Sequence, residues 1–207
     1  MKPVANSHGS VAQEVPSAPP GGWIEYPAPR VAPAKGRELG VFGRPFVALV
    51  RIVTRGRVVN VFASIGHNRG ILRPWLMFAA RLMPFGKLER ADTELVILRV
   101  AWNCRSRYEW VQHVPIGLRS GLSKSDIDRI KLGADAEGWA PRQRTIINAV
   151  DELHDRNVIT DTTWKQLAAM FDPPRLIELC MLVGNYQMLA GTMNSFGTPI
   201  ESVHKSS

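Results

Sequence analysis

The stretch ADTELVILRVAWNC, residues 91–104, constrains the fold more than any other part of the chain. From Leu95 to Trp102 its apolar side chains point in nearly every direction of a helix rather than along one stripe. A helix that is apolar all round has to be enclosed by other elements, so this segment is predicted to be a central buried helix. Glu94 and Arg99 ride on it, and buried charges of this kind persist only with a partner or a function.

The flanking sequence supplies the enclosing helices. RYEWVQHVPIGLRSG reads as the partner helix, loosened at Pro115 and stopped at Gly121. Ser123 followed by Asp126 has the pattern of a capping box, and Pro141 suits the first turn of PRQRTIINAVDELHDRN. TDTTWKQLAAMF and PPRLIELCMLVGNYQMLAGTMNSFG add two more helices, the last with small residues at Gly184, Ala190 and Gly191. Upstream, RPFVALVRIV, VVNVFASIGHN and ILRPWLMFAARLMP also read as helical, with Pro74 near the start and Pro84 past the end of the third. The expected class is all-α, about eight helices joined by short loops.

Residues 1–40 differ in texture: Pro, Gly, Ala and Ser dominate, and too little apolar surface is on offer to offset chain entropy. They are expected to form an extended or mobile arm on a helical domain at 41–200, with Trp23 and Tyr26 as docking residues and a short tail at 201–207. The 207 residues suit one such domain, and 45% hydrophobic residues are enough for its core. No run approaches the ~18 apolar residues of a membrane span, and no secretory or transit pattern opens the chain, so a cytoplasmic home is expected. Cys104 and Cys180 make no disulfide framework. The net charge of +8 is concentrated before Asp92, where Glu14, Glu25, Glu38 and Glu89 are the acids. Zinc-finger spacings and aromatic RNA-binding strands are missing, which argues against nucleic acid. A solvated basic surface, or an anionic small-molecule substrate, accounts for the charge.

Chemistry concentrates at Glu109 and His113, four residues apart and therefore neighbours on one helical face. A carboxylate beside an imidazole stabilises the imidazolium, the arrangement general acid/base catalysis uses near neutral pH. If the two helices form a hairpin, Glu94 reaches the same pocket and completes a short proton relay. A chance surface pair is the plain alternative. Metal sites need three or four ligands, and His67, His154 and His204 are scattered, so no metal is expected. Cys104 has no adjacent base, and Cys180 sits in an apolar run; both read as small buried groups. Tyr108, Trp102 and Trp110 read as core or pocket wall.

The segment ELVILRVAWNCRSRYEWVQHVPIGLRSGLS resembles the carboxymuconolactone decarboxylase family, which includes the AhpD-like alkylhydroperoxidases; a looser likeness runs from Asn60 to Ile200. The resemblance implies an AhpD-like bundle around a helical hairpin and a homo-oligomer, a trimer or hexamer, with no cofactor. The peroxidase branch carries C-x-x-C-x-x-x-H after an upstream glutamate. Anchored on His113, its cysteines fall on Ser106 and Glu109, so this chain keeps the histidine and Glu94 but neither redox cysteine. Cys104 is two residues out of register, roughly 200° round the helix. The decarboxylase branch, with glutamate four before histidine, is the better match. It implies a lyase-like acid/base enzyme acting on a small organic acid or lactone, with catalytic His113, Glu109 and Glu94. Ser106, Tyr108 and a cationic anchor, Arg99, Arg105 or Arg107, would bind the substrate. The rivals are a redox protein with peroxiredoxin-type activity through Cys104, and a non-catalytic helical oligomer.

Overall fold

The computed structural model describes residues 14–53 and 59–201. Among these residues there are nine α-helices, one short 3-10 turn at Gly36–Leu39 and no strand. The helices are α1 (Gly40–Val53), α2 (Asn60–Ile65), α3 (Arg69–Leu82), α4 (Arg90–Asn103), α5 (Arg107–Arg119), α6 (Lys124–Leu132), α7 (Pro141–Arg156), α8 (Asp161–Met170) and α9 (Pro173–Phe196). The count is one above the sequence expectation.

α4 is the central helix. Leu95, Val96, Ile97, Leu98 and Ala101 are fully buried, and α4 packs against α5, α7, α9 and α6. The charges it carries inward are answered as burial requires, Asp92 by Arg142 on α7. Arg99 forks onto both oxygens of Asp151 on α7, at 2.6 and 2.9 Å, and also donates to the Ile130 carbonyl. Glu94 faces α5.

α4 and α5 form an antiparallel hairpin closed by only Cys104, Arg105 and Ser106. Arg105 sits in the left-handed region at φ 55°, where glycine or asparagine is usual. Ser106 N–H donates back to Ala101 at 2.8 Å and locks the reversal. Close approach of the two helices depends on Gly117, where a Cβ would stand 3.1 Å from Leu122 and 3.2 Å from Leu98. α5 runs on through Pro115, whose missing N–H removes one helical hydrogen bond. The other local signals hold: Ser123 and Asp126 form a capping box, and Pro141 opens α7. Pro74 departs from expectation, lying well inside α3, which starts at Arg69.

Residues 14–35 form no helix or strand and are pinned to the helical body between Gly21 and Val31. Trp23 meets Trp102 edge-on at 5.4 Å and Trp110 at 6.0 Å. Arg105 donates to the Gly21 and Gly22 carbonyls, and Arg107 pairs with Glu25. Further on, the Arg30 and Val31 amides donate to the Phe196 carbonyl. The arm docks on its own chain because the hairpin turn presents guanidinium groups and indole faces to it. Residues 1–13, and the tail beyond Glu201, lie outside the described residues.

Candidate active site

Glu94, Glu109 and His113 come together where α4 and α5 face α9. Glu94 is wholly buried, Glu109 4% exposed and His113 8% exposed. His113 Nδ1 lies 2.8 Å from Glu94 Oε2. The second Glu94 oxygen is 2.8 Å from an Arg90 guanidinium nitrogen, at ion-pair distance though out of line for a hydrogen bond. Tyr186 on α9 packs its ring edge against the imidazole at 5.2 Å. With Nδ1 engaged, Nε2 is the ring nitrogen left without a partner among the described residues. The pairing expected within α5, Glu109 with His113, is thus replaced by one across the hairpin.

Both Glu109 oxygens are buried and make no hydrogen bond among the described residues. Ser106 and Glu109 have capping-box spacing, but the Ser106 N–H that such a box would bind is given to Ala101 instead. Burial pushes the Glu109 carboxyl well above its ordinary range, opposed by the nearby Ser106 hydroxyl. The native chain therefore holds a proton on Glu109 at pH values where the unfolded chain has lost it. Stability falls as pH rises from the ordinary carboxylate range towards the raised native value. Glu109→Gln should remove that fall. In urea unfolding the variant should exceed the wild type in stability at pH 8 and match it at pH 4; an equal gap at both pH values would contradict the assignment.

A cavity of about 270 Å³ opens beside this group, lined by Glu109, Gln112 and His113 from α5, by residues of α1, α2 and α3, and by α9. Its walls are mainly aromatic and aliphatic, Phe62 and Trp75 among them, and no lysine or arginine lines it among the described residues. This corrects the expected cationic anchor. Arg99 turns to the opposite side of α4, towards Asp151, while Arg105 and Arg107 hold the arm. Ser106 is fully buried at the start of α5 and does not line the cavity. Tyr108 does, but its hydroxyl donates to Glu201 at 2.8 Å and receives the Val61 N–H at 3.2 Å. Cys104 faces away, its Sγ 3.8 Å from His154 Nδ1. Burial pushes its thiol up to about 12, with the Glu109 carboxyl adding to the rise, the opposite of an activated thiolate.

Glu201, assigned to the tail by composition, is the residue that sequence reasoning missed. Its carboxylate receives the Val59 and Asn60 amides, each at 2.7 Å, the Tyr108 hydroxyl and the Gln112 side-chain amide at 2.6 Å. Among the described residues no cluster of His, Cys, Asp and Glu could hold a metal ion, and no helix is long and apolar enough to cross a membrane.

Structural comparison places this arrangement in a known class, the AhpD-like helical fold. A peroxidase-related protein from Silicibacter sp. superposes with a TM-score of 0.75 at 12% identity, covering 88% of this chain and 97% of that one. An AhpD-core, peroxidase-related protein from Ralstonia eutropha gives 0.69 at 14% identity, covering 84% and 95%. A cysteine-to-alanine variant of the debrominase Bmp8, in complex with 2,3,4-tribromopyrrole, gives 0.65 at 11% identity, covering 83% and 91%. By sequence, residues 71–152 match the model of the carboxymuconolactone decarboxylase family, a segment that holds α4 to α6 and with them Glu94, Glu109 and His113. No curated protein matches the sequence.

Proposed function

We propose that this protein is a general acid/base enzyme that moves a proton on a small organic molecule held in the cavity. The buried Glu94–His113 pair at the cavity wall carries the reading. With Glu94 ionised, Nδ1–H donates to Oε2, the ring is fixed in orientation and tautomer, and Nε2 takes or gives the proton. Glu109, held protonated by burial, is a second proton source on the same wall. His113→Gln keeps an amide donor for Glu94 and loses the titrating nitrogen. For any compound that the wild type turns over in a panel of lactones, enols and organic acids, kcat should fall about 100-fold or more, with the helical circular dichroism unchanged. Undiminished turnover would remove the proposal.

Decarboxylation of an organic acid or lactone is the second reading, favoured by the family match. It uses the same pair but needs a cation to hold the carboxylate, and Arg99, Arg105 and Arg107 are committed elsewhere. The redox reading, which the peroxidase-related structures favour, ranks third because burial suppresses the Cys104 thiolate.

A further inference from the structure

We propose that the cavity selects a neutral, ring-sized organic molecule with one polar edge, and excludes anions. The inference rests on the cavity being the substrate site of the acid/base enzyme proposed above.

Size comes first. Engineered apolar cavities of roughly 150 Å³ take up benzene. The 270 Å³ here suits a substituted ring or two small fused rings. Phe46, Phe62, Trp75 and Tyr186 provide aromatic walls, with Met83 and Leu189 as aliphatic ones.

Charge decides next. A carboxylate entering this space would shed its hydration beside Glu109 with no lysine or arginine among the described lining residues to replace it. The Arg90 guanidinium is already engaged at Glu94. A cationic ligand fares little better: Glu94 is matched by His113 and Arg90, and Glu109 would have to ionise in a buried setting. A neutral molecule meets neither cost.

The polar edge follows from which groups are already engaged. Tyr108 and Gln112 donate to Glu201, Asn185 Oδ1 accepts from the Trp75 indole, and the Tyr186 hydroxyl points to the Met83 sulfur. His113 Nε2 and the Glu109 carboxyl remain as the acid/base groups without partners among the described residues. Both residues line the cavity from α5, so a ligand's polar edge faces His113 and Glu109 while its apolar body meets the aromatic walls.

The test uses three near-isosteric probes at neutral pH: benzyl alcohol, benzoate and benzylamine. Titration calorimetry on the full-length protein, with tryptophan fluorescence as a second readout, should show benzyl alcohol binding at least tenfold more tightly than either ion. Ala80→Phe, which fills the cavity, should abolish that binding; should it fail to fold, Ala79→Leu takes its place, and the wild-type ranking stands as a test without either. Benzoate or benzylamine binding as tightly as the alcohol, or no probe binding at millimolar concentration, overturns the proposal. Failure of the catalytic reading looks different: neutral probes bind selectively, yet the His113→Gln variant turns over the enzyme's substrate as well as the wild type.

Discussion

His113→Leu should cost about 3 kcal/mol of folding stability, and adding Glu94→Leu should restore most of it. The single change leaves a fully buried carboxylate with only Arg90 at its side, and that guanidinium is about one-third exposed. An uncompensated buried charge is among the most expensive defects a core can carry. The double change replaces the ion pair with two apolar side chains of similar volume, a swap that is often neutral or stabilising. Arg90 can then turn into solvent. Urea unfolding of wild type, single and double variants closes the cycle, with proton-transfer activity absent from both variants. A double variant no more stable than the single one would mean that the pair is not the buried unit described. Recovery of stability without recovery of activity would show that the chain keeps this pair for chemistry at a cost in stability.

The second large effect is expected at Glu201. Glu201→Ala strands two backbone amides at the start of α2, together with the Tyr108 hydroxyl and the Gln112 amide. Hydrogen bonds to a charged group contribute roughly 1.5–3 kcal/mol each, and water replaces part of them at this half-buried site, so a loss of about 3 kcal/mol is expected. Glu201→Gln should lose less, because its amide oxygen can still receive the three donors that meet Oε1, while its NH2 group opposes that of Gln112. Tyr108 and Gln112 line the cavity, so the alanine variant should also bind benzyl alcohol more weakly. Equal stability of the glutamine and alanine variants, or unaltered ligand affinity in the alanine variant, would separate Glu201 from the cavity.

How far the sequence foretold these features follows from the range of the forces involved. The central helix was legible because seven apolar residues in eight positions leave no face for solvent. Capping at Ser123 and the opening at Pro141 were legible because both act within one helical turn. Glu94, Glu109 and His113 could be nominated from helical spacing and resemblance. Their pairing could not, since it depends on how α4 and α5 rotate against each other at Gly117. Arg99 was open to misreading for the same reason: its partner Asp151 lies 52 residues away. Glu201 gave no local signal at all, because each of its four donors arrives from a distant part of the chain. The arm's composition said nothing of its grip on the hairpin turn, which depends on side chains about 80 residues downstream.

One consequence follows from how the cavity is assembled. The proton-handling groups all come from the α4–α5 hairpin, whereas most of the apolar enclosure comes from α1 to α3 and α9. On the proposed reading, reactivity and molecular choice would therefore be encoded in separate stretches of the chain. In the proposed enzyme, exchanging Phe62, Trp75 or Leu76 for smaller or larger side chains would retune which compounds enter while the Glu94–His113 pair stays untouched.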